Sequence, residues 1–285
     1  ILLGLGACLL LLPHERTGFC GAPEIPWATL GFYGALFHTI NHAIFKSLLF
    51  MNAGSMLYAT GSQSLNKVSG LLKHMPLTAI TAIIASFSIV GVPPFNGFAS
   101  KWTIYVSTIL GSGMAANTGI LAICAVLAII TSTLTLASFM KFFGVSFLSR
   151  TSALVAQRAS ARKSGASASL EVSWSMRLPQ IILAAGCLFF GLAPLVAYNL
   201  MYQALSVGTE QVGTLSHELS EITSMTKMCH MAGARFDHGD ITLAPLVIFG
   251  VLIVMFALAW FMARLGGAKR RTAKPWLCGY AEEAD

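Results

Sequence analysis

The chain has 285 residues, 55% of them hydrophobic and only 10% charged, with a formal net charge of +7 and a mean hydropathy of +0.72. A soluble domain carries about 25% charged residues, so this balance excludes an ordinary soluble enzyme, a disordered chain and a disulfide-rich secreted module. The composition is that of an integral membrane protein.

A first apolar run, 1–12, covers only about 18 Å as a helix. It has no starting Met and no basic n-region, so a signal peptide is not expected; the reading is the end of a helix begun upstream, in a fragment of something longer. Apolar runs then recur at 27–60, 76–111, 115–148, 178–204 and 241–264. Each exceeds the roughly 20 apolar residues that a spanning helix needs. Backbone groups in lipid must be satisfied internally, which makes these runs helices, and the alternation of a barrel strand is missing. The expected fold class is therefore all-α, a polytopic transmembrane bundle of about six helices, one of them broken.

The broken one is 76–111. Its string Gly91-Val-Pro-Pro-Phe-Asn-Gly-Phe-Ala-Ser100 places Pro93, Pro94 and Gly97 against a continuous helix. Straight, that run would measure ~50 Å, more than a ~30 Å hydrocarbon core requires. Broken helices at this depth line cavities or ion sites. Lys101, just past the break, would have free carbonyls and water within reach; a lysine at the outer interface beyond a kink is the plainer alternative. The segment 149–177 is rich in Ser, Ala and Arg without apolar periodicity, and is expected to be a mobile loop or, alternatively, a short basic segment on anionic lipid.

Loop charges give an orientation. The connection 61–75 holds Lys67 and Lys73, 149–177 holds Arg150, Arg158, Arg162, Lys163 and Arg177 against Glu171, and the tail holds Arg264, Lys269, Arg270, Arg271 and Lys274. The alternate connections, 13–26, 112–114 and 205–240, together hold seven acids against Arg16, Lys227 and Arg235, all of them in the first and third. The first set is expected to be cytoplasmic, together with the C-terminus. The positive balance is then a topology signal and not a nucleic-acid footprint. Six cysteines without a C-x-x-C spacing make an iron–sulfur or zinc site improbable. Cys8, Cys124 and Cys187 fall in apolar runs as small core residues, and a Cys20–Cys229 disulfide is open but unsupported. No residue set indicates a nucleophile, a nucleotide loop or a cofactor, so neither a catalytic centre nor a metal is expected.

Ionisable side chains inside hydrocarbon are costly and point to function. Here they are His38, His42, Lys46, Lys101 and Lys141, all basic; no Asp or Glu falls inside a span. Any counter-charge must come from another part of the protein or another subunit. His38, His42 and Lys46 stand at i, i+4 and i+8. Each step drifts only ~40° around the helix and climbs ~6 Å, so the three share a face that single waters can bridge. Two imidazoles that titrate near neutral pH, followed by an amine, make a workable proton relay. The plainer readings are core histidines bonded to backbone and a snorkelling lysine; zinc chelation by the two histidines lacks a third ligand. Lys141 reads as a snorkelling anchor, with Thr131, Thr135 and Ser138 before it at i, i+4 and i+7 as accessory candidates on one face, although hydroxyl stripes also serve close helix packing.

Three strings carry a resemblance: His38-Thr-Ile-Asn-His42-Ala-Ile-Phe-Lys46-Ser-Leu-Leu-Phe, Leu71-Leu-Lys-His-Met-Pro-Leu-Thr-Ala79, and Gly91-Val-Pro-Pro-Phe-Asn-Gly-Phe-Ala-Ser-Lys101-Trp. Together they resemble the antiporter-like, proton-conducting membrane subunits of respiratory complex I and its hydrogenase relatives. Pro-Pro-Phe-Asn-Gly-Phe and Trp276-Leu-Cys-Gly-Tyr280 look most like the large membrane subunit of hydrogenase-4, formate hydrogenlyase and energy-converting hydrogenases. The resemblance implies two inverted five-helix repeats, each with a broken helix, and a line of charged residues across the midplane that moves protons. His38, His42 and Lys46 match the His/Lys helix of the second repeat, and Lys101 matches the ionisable residue of its broken helix, often Glu in relatives, that serves the outer exit. The first repeat, with its acid, would lie upstream of Ile1.

The expected organisation follows. Residues 1–148 form the later part of a transporter core, 149–177 a cytoplasmic basic loop, and 178–285 two additional helices with an outer loop and a basic tail. The expected role is a proton-translocating subunit of a redox-driven complex in a bacterial or archaeal cell membrane. Its partners would be other membrane subunits of a hydrogenase or complex I-like assembly, the bilayer, and protons or Na⁺, with no nucleic acid. The rivals are a subunit of a multi-subunit Na⁺/H⁺ antiporter and an inert scaffold.

Overall fold

The computed structural model describes residues 1–16, 27–65, 67–113, 116–162, 169–208 and 245–266. Among these, every regular element is helical. In chain order they are α1 (Leu2–Arg16), α2 (Trp27–Thr60), α3 (Pro76–Val90), α4 (Asn96–Gly111), α5 (Ile120–Phe143), α6 (Ala153–Arg162), α7 (Trp174–Leu192), α8 (Pro194–Gly208) and α9 (Pro245–Leu265), and a π-helical turn, Gly144–Leu148, extends α5. The chain divides into two compact units, Ile1–Ile248 and Phe249–Asp285. Most of α9 belongs to the second, where Val254, Met255 and Phe256 are exposed.

In the first unit α2 is the central post, packed by α1, α3, α4 and α7. Its interior contacts are unusually polar: Asn41, Asn52 and Ser55 are buried, as are Thr78, Thr81 and Ser86 on α3, Asn96 and Ser100 on α4, and Gln180 on α7. The large apolar side chains of α5, such as Leu127, Ile130 and Leu134, point outward instead. Small and hydroxyl side chains between helices with aliphatic ones outside is the arrangement of a bundle surrounded by lipid, where packing and interhelical hydrogen bonds replace hydrophobic burial. One such set joins three helices. Thr81 Oγ1 donates to Asn52 Oδ1 at 2.8 Å, and Gln180 Nε2 donates to Ser55 Oγ at 2.6 Å. Two elements meet both the length and the apolarity of a span by themselves, α5 with its π turn and α7. Of the broken run, α3 is a shorter apolar helix of 15 residues.

The break lies where the prolines place it, with one change of residue. α3 ends in a Schellman motif: Gly91 sits at φ +88°, its N–H donates to Ser88 O at 3.2 Å, and Val92 N–H donates to Phe87 O at 3.0 Å. A left-handed conformation of this kind favours glycine. Pro93 and Pro94 occupy the turn, and Phe95 leads into α4. Gly97, expected as part of the break, is instead inside the first turn of α4; a Cβ there would collide with the Ser88 carbonyl. Its role is to let the start of α4 pass against the end of α3.

Two other expectations change. The run 178–204 is also interrupted, at Ala193 between α7 and α8. Pro194 starts α8 and disfavours the helical region for the residue before it, so Ala193 leaves the helix at φ −124°, ψ 59°. A Cβ on Gly191 would collide with the Pro94 carbonyl, so the second interruption packs directly on the first. The expected mobile loop 149–177 also contains α6. Ser152 Oγ accepts the Val155 N–H at 3.3 Å as an N-cap, and Val155 and Ala159, one turn apart, are buried with Leu170, Val172, Met75 and Phe147. The connections at 17–26 and 209–244, the loop centre at 163–168 and the tail from 267 lie outside the described residues, and with them Cys20, Cys229, Cys278 and the 276–280 string.

Candidate functional site: a lysine seated on a broken helix

A helix leaves four carbonyls unpaired at its C-terminus. At the end of α3 those belong to Phe87, Ser88, Ile89 and Val90. The Schellman turn satisfies the first two. The remaining two accept from Lys101, whose Nζ donates to Ile89 O at 3.0 Å and Val90 O at 2.9 Å. The ammonium reaches them because its stem lies over Gly91, where a Cβ would meet Lys101 Cδ at 3.0 Å. A cation at this position also faces the negative end of the α3 dipole. Lys101 thus sits on the free carbonyls of the break, as its position past the prolines predicts.

Its third donor goes to Ser132 Oγ on α5, at 3.2 Å. Ser132 in turn shares a hydrogen bond with Tyr105 OH on α4, at 2.9 Å, and Tyr105 OH donates to Ala128 O at 3.4 Å. Sequence reasoning missed both residues. Ser132 stands beside the hydroxyl stripe proposed for α5, but α5 is apolar all round, so its pattern does not show which face turns inward.

The stripe itself faces away. Thr131 and Ser138 are exposed and Thr135 is half-buried; each hydroxyl donates to the carbonyl one turn back, Leu127 O, Leu134 O and Thr131 O respectively. Lys141 is exposed near the end of the same helix. The structure does not bring these four residues to Lys101.

On α2 the three expected residues do share a face. The rings of His38 and His42 are 6.2 Å apart, with Phe45 packed against both at 6.1 and 5.3 Å. His38 is half-buried and its Nδ1 shares a 2.9 Å hydrogen bond with Ser100 Oγ, on the residue next to Lys101. His42 is exposed and Lys46 half-buried, so the far end of the line opens on a side of α2 that these helices do not cover. Asn41, between the histidines, fixes the α2–α4 register: its Nδ2 donates to Asn96 O at 2.9 Å and its Oδ1 accepts from Asn96 Nδ2 at 3.1 Å. On the other side of the break, Tyr198 of α8 shares a 2.6 Å hydrogen bond with Thr103. The site is therefore a polar cluster in two bonded sets that adjoin at neighbouring residues of α4: His38 with Ser100, beside His42, and Lys101 with Ser132 and Tyr105. Every side chain in it can give or accept a proton. Among the described residues none of them is a carboxylate.

Residues 26–131 match the family described as NADH:quinone oxidoreductase/Mrp antiporter, transmembrane. The matched segment takes in α2 through α4 and ends one residue short of Ser132. The chain is 29% identical over 259 residues to hydrogenase-4 component B of Escherichia coli, covering 89% of this chain and 35% of that protein. It is 35% identical over 194 residues to Na(+)/H(+) antiporter subunit A1 of Staphylococcus epidermidis, covering 66% of this chain and 23% of that one. A solved structure, that of the membrane-bound sulfane sulfur reductase, an archaeal respiratory membrane complex, superposes with a TM-score of 0.57 at 18% identity, over 98% of this chain and 43% of the other; at that identity the likeness is one of fold. The chain spans about a third of the length of the first of these relatives.

Proposed function

From a chain that carries the transmembrane domain of the NADH:quinone oxidoreductase/Mrp antiporter family, a membrane-integral, multi-pass helical protein, we propose the following function. The chain is part of a proton-translocating membrane subunit of a redox-driven complex, of the hydrogenase kind. Protons pass along Lys46, His42 and His38, cross by Ser100, and leave through Lys101, which gates release. The observation that carries this reading is the Lys101 ammonium placed on the two free carbonyls of a broken helix, with the residue before it, Ser100, hydrogen-bonded to His38 of α2. A proton there is held by carbonyls and hydroxyls alone and can be exchanged without breaking an ion pair.

The rest of the reading follows the same likeness. The described bundle is the later half of an inverted-repeat fold, the redox centres and the acids that complement the basic line lie in other parts of the assembly, and the membrane is that of a bacterium or archaeon with the C-terminus on the cytoplasmic side. The test is transport by the complete subunit in its own membrane complex. Lys46→Ala and Lys101→Ala should each abolish redox-driven proton uptake into inverted vesicles while electron transfer in the peripheral subunits remains measurable. Wild-type proton uptake in both variants would end the relay reading.

The likeness to an Na(+)/H(+) antiporter subunit favours a second reading, exchange of Na⁺ for protons along the same line. It requires that translocation depend on Na⁺ concentration, whereas the proton reading requires that Na⁺ removal leave the rate unchanged.

A further inference from the structure

We propose that the hydroxyls of Ser132 and Tyr105 are the first two steps by which a proton leaves Lys101, toward the end of the bundle where α4 finishes and α5 begins. This rests on the role of Lys101 stated above and extends it to residues on a helix face that sequence reasoning passed over.

The contacts admit one polarity that runs outward from Lys101. Lys101 Nζ has no lone pair when charged, so it donates to Ser132 Oγ. The single proton of Ser132 is then free for Tyr105 OH, and the proton of Tyr105 is directed at Ala128 O. The three groups thus form one oriented run, Lys101 to Ser132 to Tyr105, with contacts of 3.2 and 2.9 Å. The step balances without any other reactant except water. Lys101 gives one proton to Ser132 Oγ, Ser132 passes its own to Tyr105 OH, and Tyr105, its O–H turned from the long contact to Ala128 O, passes its own to a water that enters from that end. The ammonium becomes a neutral amine, both hydroxyls are regenerated with reversed orientation, and no electron moves.

Topology gives the direction. Tyr105 lies one turn beyond Lys101 toward Gly111, the end of α4, and Ala128 lies one turn before Ser132 toward Ile120, the start of α5. Both helices therefore carry the chain to the same end, opposite to the one His38 approaches through Ser100. Loop charges read that end as the outer side. Tyr105, Ser132 and Lys101 are all half-buried. A purely structural pair would serve α4–α5 packing equally well with Ser132 alone; the phenol touches that hydroxyl and a carbonyl but not Lys101.

The experiment uses the complete subunit in its membrane complex, reading redox-driven membrane potential in inverted vesicles with an oxonol dye. Ser132→Ala and Tyr105→Phe should each slow charging by about tenfold, the equivalent of roughly 1.4 kcal/mol on the transfer barrier, while Ser132→Thr keeps the wild-type rate. Adding 4-methylimidazole, a small permeant proton carrier that leaves the potential intact, should restore Tyr105→Phe, because a diffusible carrier replaces a missing relay group but not a missing packing contact. The proposal is overturned if both variants charge at the wild-type rate while Lys101→Ala does not, or if the carrier leaves Tyr105→Phe slow. Wild-type charging by Lys101→Ala would instead overturn the function on which it rests.

Discussion

Glu171 offers the most quantitative test of how the broken helix is held. Its carboxylate, carried by the segment after α6, closes the N-terminus of α3: Oε1 accepts from Leu77 N–H at 2.7 Å and Thr78 N–H at 3.1 Å, and Oε2 accepts from Thr78 Oγ1 at 3.0 Å. Pro76 brings no N–H, and Ala79 donates to Met75 O at 2.9 Å, so every donor of the first turn is paired. Glu171→Ala removes three acceptor contacts at once. Loss of an N-cap costs about 0.5–2 kcal/mol, and loss of negative charge at a helix N-terminus about 0.3–1 kcal/mol more. Thr78 is fully buried, so its orphaned groups cannot turn to water, and the sum belongs near about 2 kcal/mol. Local opening of the first turn should then become roughly 30-fold more frequent, at 1.36 kcal/mol per factor of ten. Hydrogen exchange read by mass spectrometry on the complete subunit in nanodiscs would show this at the amides of Leu77 and Thr78, with the Phe87–Val92 turn as internal reference. Glu171→Gln, which keeps an acceptor oxygen, should fall between the two. Exchange at 77–78 that changes by less than about twofold in Glu171→Ala would refute the reasoning.

Other outcomes follow from the same contacts. Asn41→Ala removes two interhelical hydrogen bonds, each worth about 0.6 kcal/mol in a membrane bundle, and should lower stability by about 1–2 kcal/mol in thermal unfolding monitored in detergent. Gly97→Ala drives a Cβ into the Ser88 carbonyl, and because both groups are backbone it should cost about 1–3 kcal/mol in the same assay and reduce transport. Thr131→Ala combined with Ser138→Ala, on the exposed face of α5, should stay within about 0.5 kcal/mol of wild type and leave charging of vesicles unchanged; a transport defect would show that this face is used.

Much of this arrangement is legible in the residues. The limits of α2 and of the pair α3 and α4 coincide with the apolar runs, because a span has to be long and apolar and the prolines leave few places for a break. His38, His42 and Lys46 fall on one face because helical spacing alone fixes that. The rotation of α5 is not legible: its hydroxyls at Thr131, Ser132, Thr133, Thr135 and Ser138 are spread around an otherwise apolar helix, so Thr131 and Ser132 look alike until packing turns one out and the other in. Gly97 misled for a similar reason, since a glycine beside two prolines reads as a hinge, whereas here it makes room for the Ser88 carbonyl. The second interruption did carry a signal, Gly191-Leu-Ala-Pro194, masked by an apolar stretch that continues through it. α6 hid behind its arginines, although Ser152 followed by Val155 and Ala159 is the pattern of a capped helix with one buried edge.

The two ends of α3 have a joint consequence. This helix of 15 residues is closed at one end by an anion and at the other by a cation, each supplied from elsewhere in the chain. If Lys101 hands its proton on as proposed, it loses its charge each time. The α3 dipole then loses one of its two terminating charges, a change of about 0.3–1 kcal/mol or more away from water. That energy appears at the joint where α3, α4 and the α7–α8 interruption touch. On the proposed function, emptying the lysine would therefore loosen the hinge that holds it and reloading would tighten it, so occupancy by a single proton would be a mechanical signal to the neighbouring helices.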